Sequence, residues 1–142
     1  MRALIFGAGS IGQTYGYILT RSGATVDVYV RPKYAADAES GYRLYERRKG
    51  FRDPLEFKPD QVLTTCDEVA NVDYDVVVLC ISSTALRGDW LDGFAPAVGN
   101  TPVVSLTPGM EQNARIAQMV FHRMGTATSD GYYSVYSGEG RE

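Results

Sequence analysis

The feature that most constrains this chain is the passage from Ala3-Leu4-Ile5-Phe6 into the glycine loop GAGSIG at positions 7–12. An unbroken apolar run of this length suits a strand covered on both faces, as in a parallel sheet. The residues after the loop continue as a helix, with Ile11, Tyr15, Ile18 and Leu19 predicted on one face and a stop at Gly23. Strand, glycine loop and helix in immediate succession form the unit that cradles a dinucleotide pyrophosphate. Each glycine then has a distinct task. Gly7 permits the tight turn, Gly9 lets backbone approach the phosphates, and Gly12 lets helix and strand pack closely, with Gly16 extending that packing one turn on. The free N–H groups of Ser10 and Ile11 and the positive end of the helix dipole complete an anion site. A plain βα turn and an S-adenosylmethionine site are the other readings of such a loop.

The rest of the chain repeats the alternation. Thr25–Arg31 reads as a second strand with Val26, Val28 and Val30 on one side, broken by Pro32 and followed by a short helix over 34–39. Residues 41–60 are polar and rich in turn formers, consistent with one or two short strands. A strand over 62–65 follows. Asp75–Ile81 (DVVVLCI) is the clearest buried strand, and Ser83 caps a helix carrying Leu86, Trp90, Leu91, Phe94 and Val98. Val103–Leu106 is another buried strand, 111–124 a helix, and the tyrosine-rich segment 126–137 a last strand. This pattern predicts one α/β domain over 1–142, a doubly wound, mainly parallel sheet of the Rossmann type.

The end of the second strand bears on which dinucleotide is held. An NAD site ordinarily carries Asp or Glu there, accepting from the ribose 2′-hydroxyl. This chain has Arg31, then Pro32 and Lys33; a guanidinium makes two bonds to a 2′-phosphate. Asp27 falls too early, in mid-strand. Ile81, Ser82 and Ser83 lie at the carboxyl end of a parallel strand, where open sheets bind ligands, so one of the serines is expected to meet the cofactor. NADP(H) is the expected cofactor, held by Gly7, Gly9, Ser10, Ile11, Gly12, Arg31, Lys33, Ile81, Ser82 and Ser83.

Composition excludes other classes. The net charge is −3 with scattered Lys and Arg, so no nucleic-acid surface is expected. No apolar run approaches a membrane span, and the one that follows Arg2 stops at Gly7, short of a secretory leader. Two cysteines, Cys66 and Cys80, make no disulfide framework, which fits a cytoplasmic location. No metal cluster has ligand spacing, and the single histidine, His122, reads as a surface residue. Cys80 reads as a small hydrophobe within a strand. The tyrosines of the tail are expected to leave an apolar patch that favours homo-oligomers.

With these residues placed, the chain resembles the N-terminal domain of ketopantoate reductase (2-dehydropantoate 2-reductase). The resemblance rests on GAGSIG, VRPKYAADAESGYRL, DVVVLCISSTAL and TPVVSLTPGMEQNARI, and runs over nearly the whole sequence. It implies NADPH-dependent reduction of a 2-oxo acid by hydride transfer, with Arg31 gripping the 2′-phosphate. Two positions depart from the family's pattern: Ser82 stands where it has a lysine, and Pro108 where it has an asparagine. The family's catalytic lysine and substrate carboxylate lie in a following helical domain, absent from this chain, so the chain alone is expected to be inactive. The rivals are a non-catalytic NAD(P)-sensing module and the cofactor domain of another two-domain hydroxy-acid or polyol dehydrogenase.

Overall fold

The computed structural model describes residues 1–46, 52–82, 84–85, 89–106, 128–130 and 133–136. Strand β1 (Arg2–Phe6) leads through the glycine loop into helix α1 (Ser10–Arg21) and strand β2 (Thr25–Tyr29). A 3-10 turn (Pro32–Tyr34) continues into α2 (Ala35–Ser40). The turn-rich segment is a hairpin, β3 (Tyr42–Leu44) against β4 (Leu55–Phe57). Next come β5 (Val62–Leu63), α3 (Cys66–Ala70), β6 (Val76–Leu79), α4 (Trp90–Val98) and β7 (Val103–Ser105). The tyrosine-rich segment holds two strands, not one: β8 (Thr128–Asp130) and β9 (Tyr133–Tyr136). The predicted helix over 111–124, and with it His122 and Pro108, lies outside the described residues.

The sheet runs β5-β2-β1-β6-β7-β9-β8. The first five strands are mutually parallel, and β9 and β8 add an antiparallel edge. The chain builds outward from β1 to β2 on one side, then returns to lay β6 on the other. The crevice at the carboxyl ends of β1 and β6 is therefore the point where strand order reverses, the usual ligand position in open α/β sheets.

Period-two alternation gives the sheet two cores. Leu4, Phe6, Val77 and Leu79 point to one face, where Val69 of α3 and Phe94 and Val98 of α4 cover them. Ile5, Val26, Val28 and Val78 point to the other, under Ala38 of α2 and Phe57 of β4. Helix α1 covers that second face in a way the apolar pattern assigned only in part, with Leu19 packed against the core as expected. Ile11, Tyr15 and Ile18 are 54%, 42% and 51% exposed, and the buried positions are Gly12 and Gly16. The reason is steric. A Cβ on Gly12 would overlap the Gly7 carbonyl oxygen, and one on Gly16 would overlap the Phe57 ring. The helix must present glycine to lie this close, which turns Ile11, Tyr15 and Ile18 outward, while Leu19 stays partly buried against the second core. No helix among the described residues is long and apolar enough to cross a membrane.

At the amino ends of the strands sits a buried polar network. Asp27 is fully buried in mid-β2. Its carboxylate accepts from Arg2 Nε at 2.9 Å, from the Tyr74 hydroxyl at 2.8 Å and from the Gln61 N–H at 3.1 Å. Arg2 Nη2 lies 2.8 Å from the same carboxylate but out of line for a hydrogen bond, so that contact is coulombic only. Burial, then the Asp27 bond, push the Tyr74 phenol far above its ordinary range, so it stays a donor. Asp27→Ala leaves the Tyr74 hydroxyl and the Gln61 N–H without their acceptor. At about 1–3 kcal/mol for an orphaned buried group, denaturant melts are expected to show a loss of about 2–4 kcal/mol, with ligand affinity unchanged because the network faces away from the crevice. A loss below about 0.5 kcal/mol, the level of ordinary surface changes, would show the network to be dispensable.

Candidate functional site

A cleft of about 900 Å³ opens at the reversal point of the sheet. Its floor is the glycine loop: Gly7, Ala8 and Gly9, with Gln13 from the first turn of α1. The three loop glycines do not play equal roles. Gly7 has a φ of +100°, and a Cβ there would lie 2.7 Å from Ile81 Cγ2 and 3.0 Å from the Cys80 carbonyl. It is required by both backbone and packing. Gly12 is required by packing against the loop itself. Gly9 is required by neither: its backbone is extended, and a Cβ would meet nothing within 4 Å. Its side of the cleft is open space.

Gly9 is also the N-cap of α1, and no side chain caps that end. The first turn carries no acidic residue. The leading N–H groups and the positive end of the dipole thus carry no built-in anion at the loop end of the helix. Gln13 Nε2 donates to the Ala8 carbonyl at 2.9 Å and so fixes the loop. Sequence reading missed Gln13; an amide in a first helical turn carries no signal that marks it. Ser10 and Ile11 belong to the exposed start of the helix and, like Gly12, do not line the cleft.

The wall beyond β2 is Tyr29, Val30 and Arg31, followed by Tyr34, Asp37 and Tyr42. Arg31 is exposed at the cleft's edge, where the sequence places it. Lys33 is not among the lining residues; its ammonium sits 4.7 Å from the centre of the Tyr34 ring. The opposite wall comes from the end of β6: Ile81, Ser82, Thr84 and Ala85. The Ser82 hydroxyl accepts from the Ala85 N–H at 3.3 Å, which leaves its own proton free to donate into the cleft. Ser83 lies outside the described residues.

Phe6 and Trp90 complete the lining. The parallel register sets Phe6 beside Tyr29, and the two rings stack at 4.1 Å, 7° from parallel. Trp90 stacks on Phe6 at 5.2 Å and donates from Nε1 to the Ala85 carbonyl at 2.6 Å. These rings make an apolar end to the cleft, for which sequence reading placed Phe6 in a buried strand and Trp90 on a helix without assigning either to a site. Cys80, just past β6, is no nucleophile: burial pushes its thiol up to about 12. Burial also raises the Cys66 thiol.

Comparison with known proteins decides the family. A family model for ketopantoate reductase PanE/ApbA matches residues 3–134. The chain belongs to the ketopantoate reductase PanE/ApbA family. Members of this family of oxidoreductases bind NAD(P)H. Among solved structures, a PanE/ApbA family ketopantoate reductase from Ralstonia eutropha superposes with a TM-score of 0.65 at 27% identity, over 84% of this chain and 37% of that one. Likeness in fold alone extends further. A 2-dehydropantoate 2-reductase from Geobacter metallireducens has a TM-score of 0.67 at 21% identity, over 84% of this chain and 38% of that one. D-mandelate dehydrogenase, solved with NADH and anilino(oxo)acetate, has a TM-score of 0.66 at 20% identity, over 93% and 43% of the two chains. Among curated proteins, the glycerol-3-phosphate dehydrogenase [NAD(P)+] of Parafrankia sp. is 34% identical over 87% of this chain. The chain spans only about a third of the length of such relatives, 37% in that case. The Rossmann-type, mainly parallel sheet expected from the sequence is thus that of the ketopantoate reductases.

Proposed function

We propose that this chain is the NADPH-binding domain of a ketopantoate-reductase-like oxidoreductase that reduces a 2-oxo acid, 2-dehydropantoate or a close analogue. The observation that carries the reading is the open space at Gly9. A glycine that neither backbone geometry nor packing requires is explained by a ligand that must approach the backbone there. A dinucleotide fits the residues present. The loop N–H groups of α1 would take the pyrophosphate, Arg31 the 2′-phosphate, and the wall of Ile81 and Ser82 the nicotinamide half. When bound, the cofactor supplies the hydride. The chain supplies orientation and a dry aromatic end formed by Phe6, Tyr29 and Trp90.

The described cleft lining holds tyrosines, one arginine and one aspartate as its only titratable groups. It offers no lysine or histidine to protonate the alkoxide that forms from a reduced carbonyl. We therefore assign the proton donor and the 2-oxo acid site to a second, helical domain, as the family resemblance implies.

Trp90 is the single tryptophan and lines the cleft, so energy transfer to bound NADPH reports occupancy. The 142-residue chain is expected to show saturable transfer with NADPH and no turnover above background with a panel of 2-oxo acids. Absence of saturable binding would overturn the cofactor reading, and robust turnover would overturn the assignment of the proton donor elsewhere. The identity to the Parafrankia enzyme supports a second reading, action on glycerol 3-phosphate; including that substrate with NADP+ and NAD+ in the panel tests it.

A further inference from the structure

We propose that Asp37 sets cofactor choice at the Arg31 end of the cleft, by holding down affinity for a 2′-phosphorylated dinucleotide and supporting one with a free 2′-hydroxyl. This rests on the dinucleotide reading above. Arg31 and Asp37 come from successive elements and line the same cleft, the cation just past β2 and the carboxylate on α2. Both are exposed. Among the described residues, neither has an ion pair within 4 Å or a hydrogen bond from its side chain, so neither charge is compensated by the protein. The field of Asp37 extends toward β3: after burial, its charge is the second cause that raises the Tyr42 phenol, and Tyr42 lines the same wall.

A phosphate drawn to Arg31 would therefore share its cleft with an attractive cation and a repulsive anion. A free 2′-hydroxyl meets the opposite situation, because a carboxylate accepts its proton and carries no penalty against it. One residue thus pushes the two cofactors in opposite directions. In a solvated cleft, removal of one unit charge near the phosphate is expected to tighten it by about three- to tenfold at low salt.

Asp37 also lies in the first turn of α2, where a carboxylate is favoured by the helix dipole. A merely local role of that kind would affect both cofactors alike, and the test separates the two. Dissociation constants for NADPH and NADH are measured with the unaltered chain, Asp37→Asn and Asp37→Ala, at low and high salt. NADPH is expected to tighten about three- to tenfold in both variants, NADH to weaken or stay unchanged, and the NADPH gain to shrink at high salt. An unchanged NADPH-to-NADH ratio, or weaker NADPH binding, would overturn the proposal while leaving the dinucleotide reading intact. Failure of both cofactors to bind the unaltered chain would overturn that reading and this one together.

Discussion

Gly9→Val is expected to abolish dinucleotide binding while leaving a folded domain. The Cβ enters open space, because nothing beyond its chain neighbours lies within 4 Å of it, which leaves room for the branched side chain. The backbone at Gly9 is extended, with φ −73° and ψ −172°, a conformation valine adopts freely. The protein loses only the preference for glycine over a branched residue at an N-cap, about 1 kcal/mol. For a domain of this size that lowers the melting temperature by about 3–5 °C. The ligand fares differently, since a branched side chain stands where a pyrophosphate must meet the N–H groups of α1. Gly12→Val is the contrasting variant. Its side chain would overlap the Gly7 carbonyl, so the helix must move off the loop, and overpacking of this kind costs about 1–3 kcal/mol or more. Binding and stability should fall together there. Calorimetric titration beside a thermal melt distinguishes the two variants. Undiminished affinity in Gly9→Val would mean that the loop is only a turn.

Reversal of cofactor preference is the second large effect, and it rests on Arg31. A hydrogen bond to a charged group contributes about 1.5–3 kcal/mol net, and each 1.4 kcal/mol is about tenfold in affinity. One guanidinium on a 2′-phosphate thus predicts a preference for NADPH over NADH of about ten- to a hundredfold. Ser82 in place of the family's lysine, and Lys33 directed at the Tyr34 ring, place the expectation at the lower end. Arg31→Ala should weaken NADPH by most of that factor and NADH little. Arg31→Asp should invert the order, because a carboxylate repels the phosphate and accepts from the hydroxyl. Added salt should weaken NADPH more steeply than NADH in the unaltered chain and equally in Arg31→Ala. Equal losses for both cofactors in Arg31→Ala would make Arg31 structural, and the NADP assignment would fall.

Much of this was legible in the sequence, and the exceptions share a cause. Strands β1, β6 and β7 announce themselves because a strand buried on both faces is an apolar run with no helical period. Position 31 is legible because its side chain stands next to a strand end of known polarity. The inward face of α1 is not, because hydrophobic periodicity assumes that the buried side is the apolar side. Here close approach selects glycine, and Ile11, Tyr15 and Ile18 of the apolar stripe face out. Asp27 reads as a carboxylate out of place; only the fold brings Arg2, Gln61 and Tyr74 to it. Helix α3 had a readable start, since Thr65 and Glu68 form a capping box, with Thr65 Oγ1 accepting from the Glu68 N–H at 3.2 Å. The backbone N–H groups of Thr64 and Thr65 hold the Glu68 carboxyl below its usual range. Five residues are too short for helical periodicity to show.

Gly16 and Phe57 divide one side chain's volume between two elements far apart in sequence. The ring fills the place that a residue on the helix would otherwise occupy. The two positions are therefore coupled wherever this hairpin is kept. A side chain gained at position 16 is expected to displace or shrink the Phe57 ring, and a smaller residue at 57 opens a void that a larger residue at 16 can refill. Paired change at 16 and 57, more often than single change, is the signature expected of this contact.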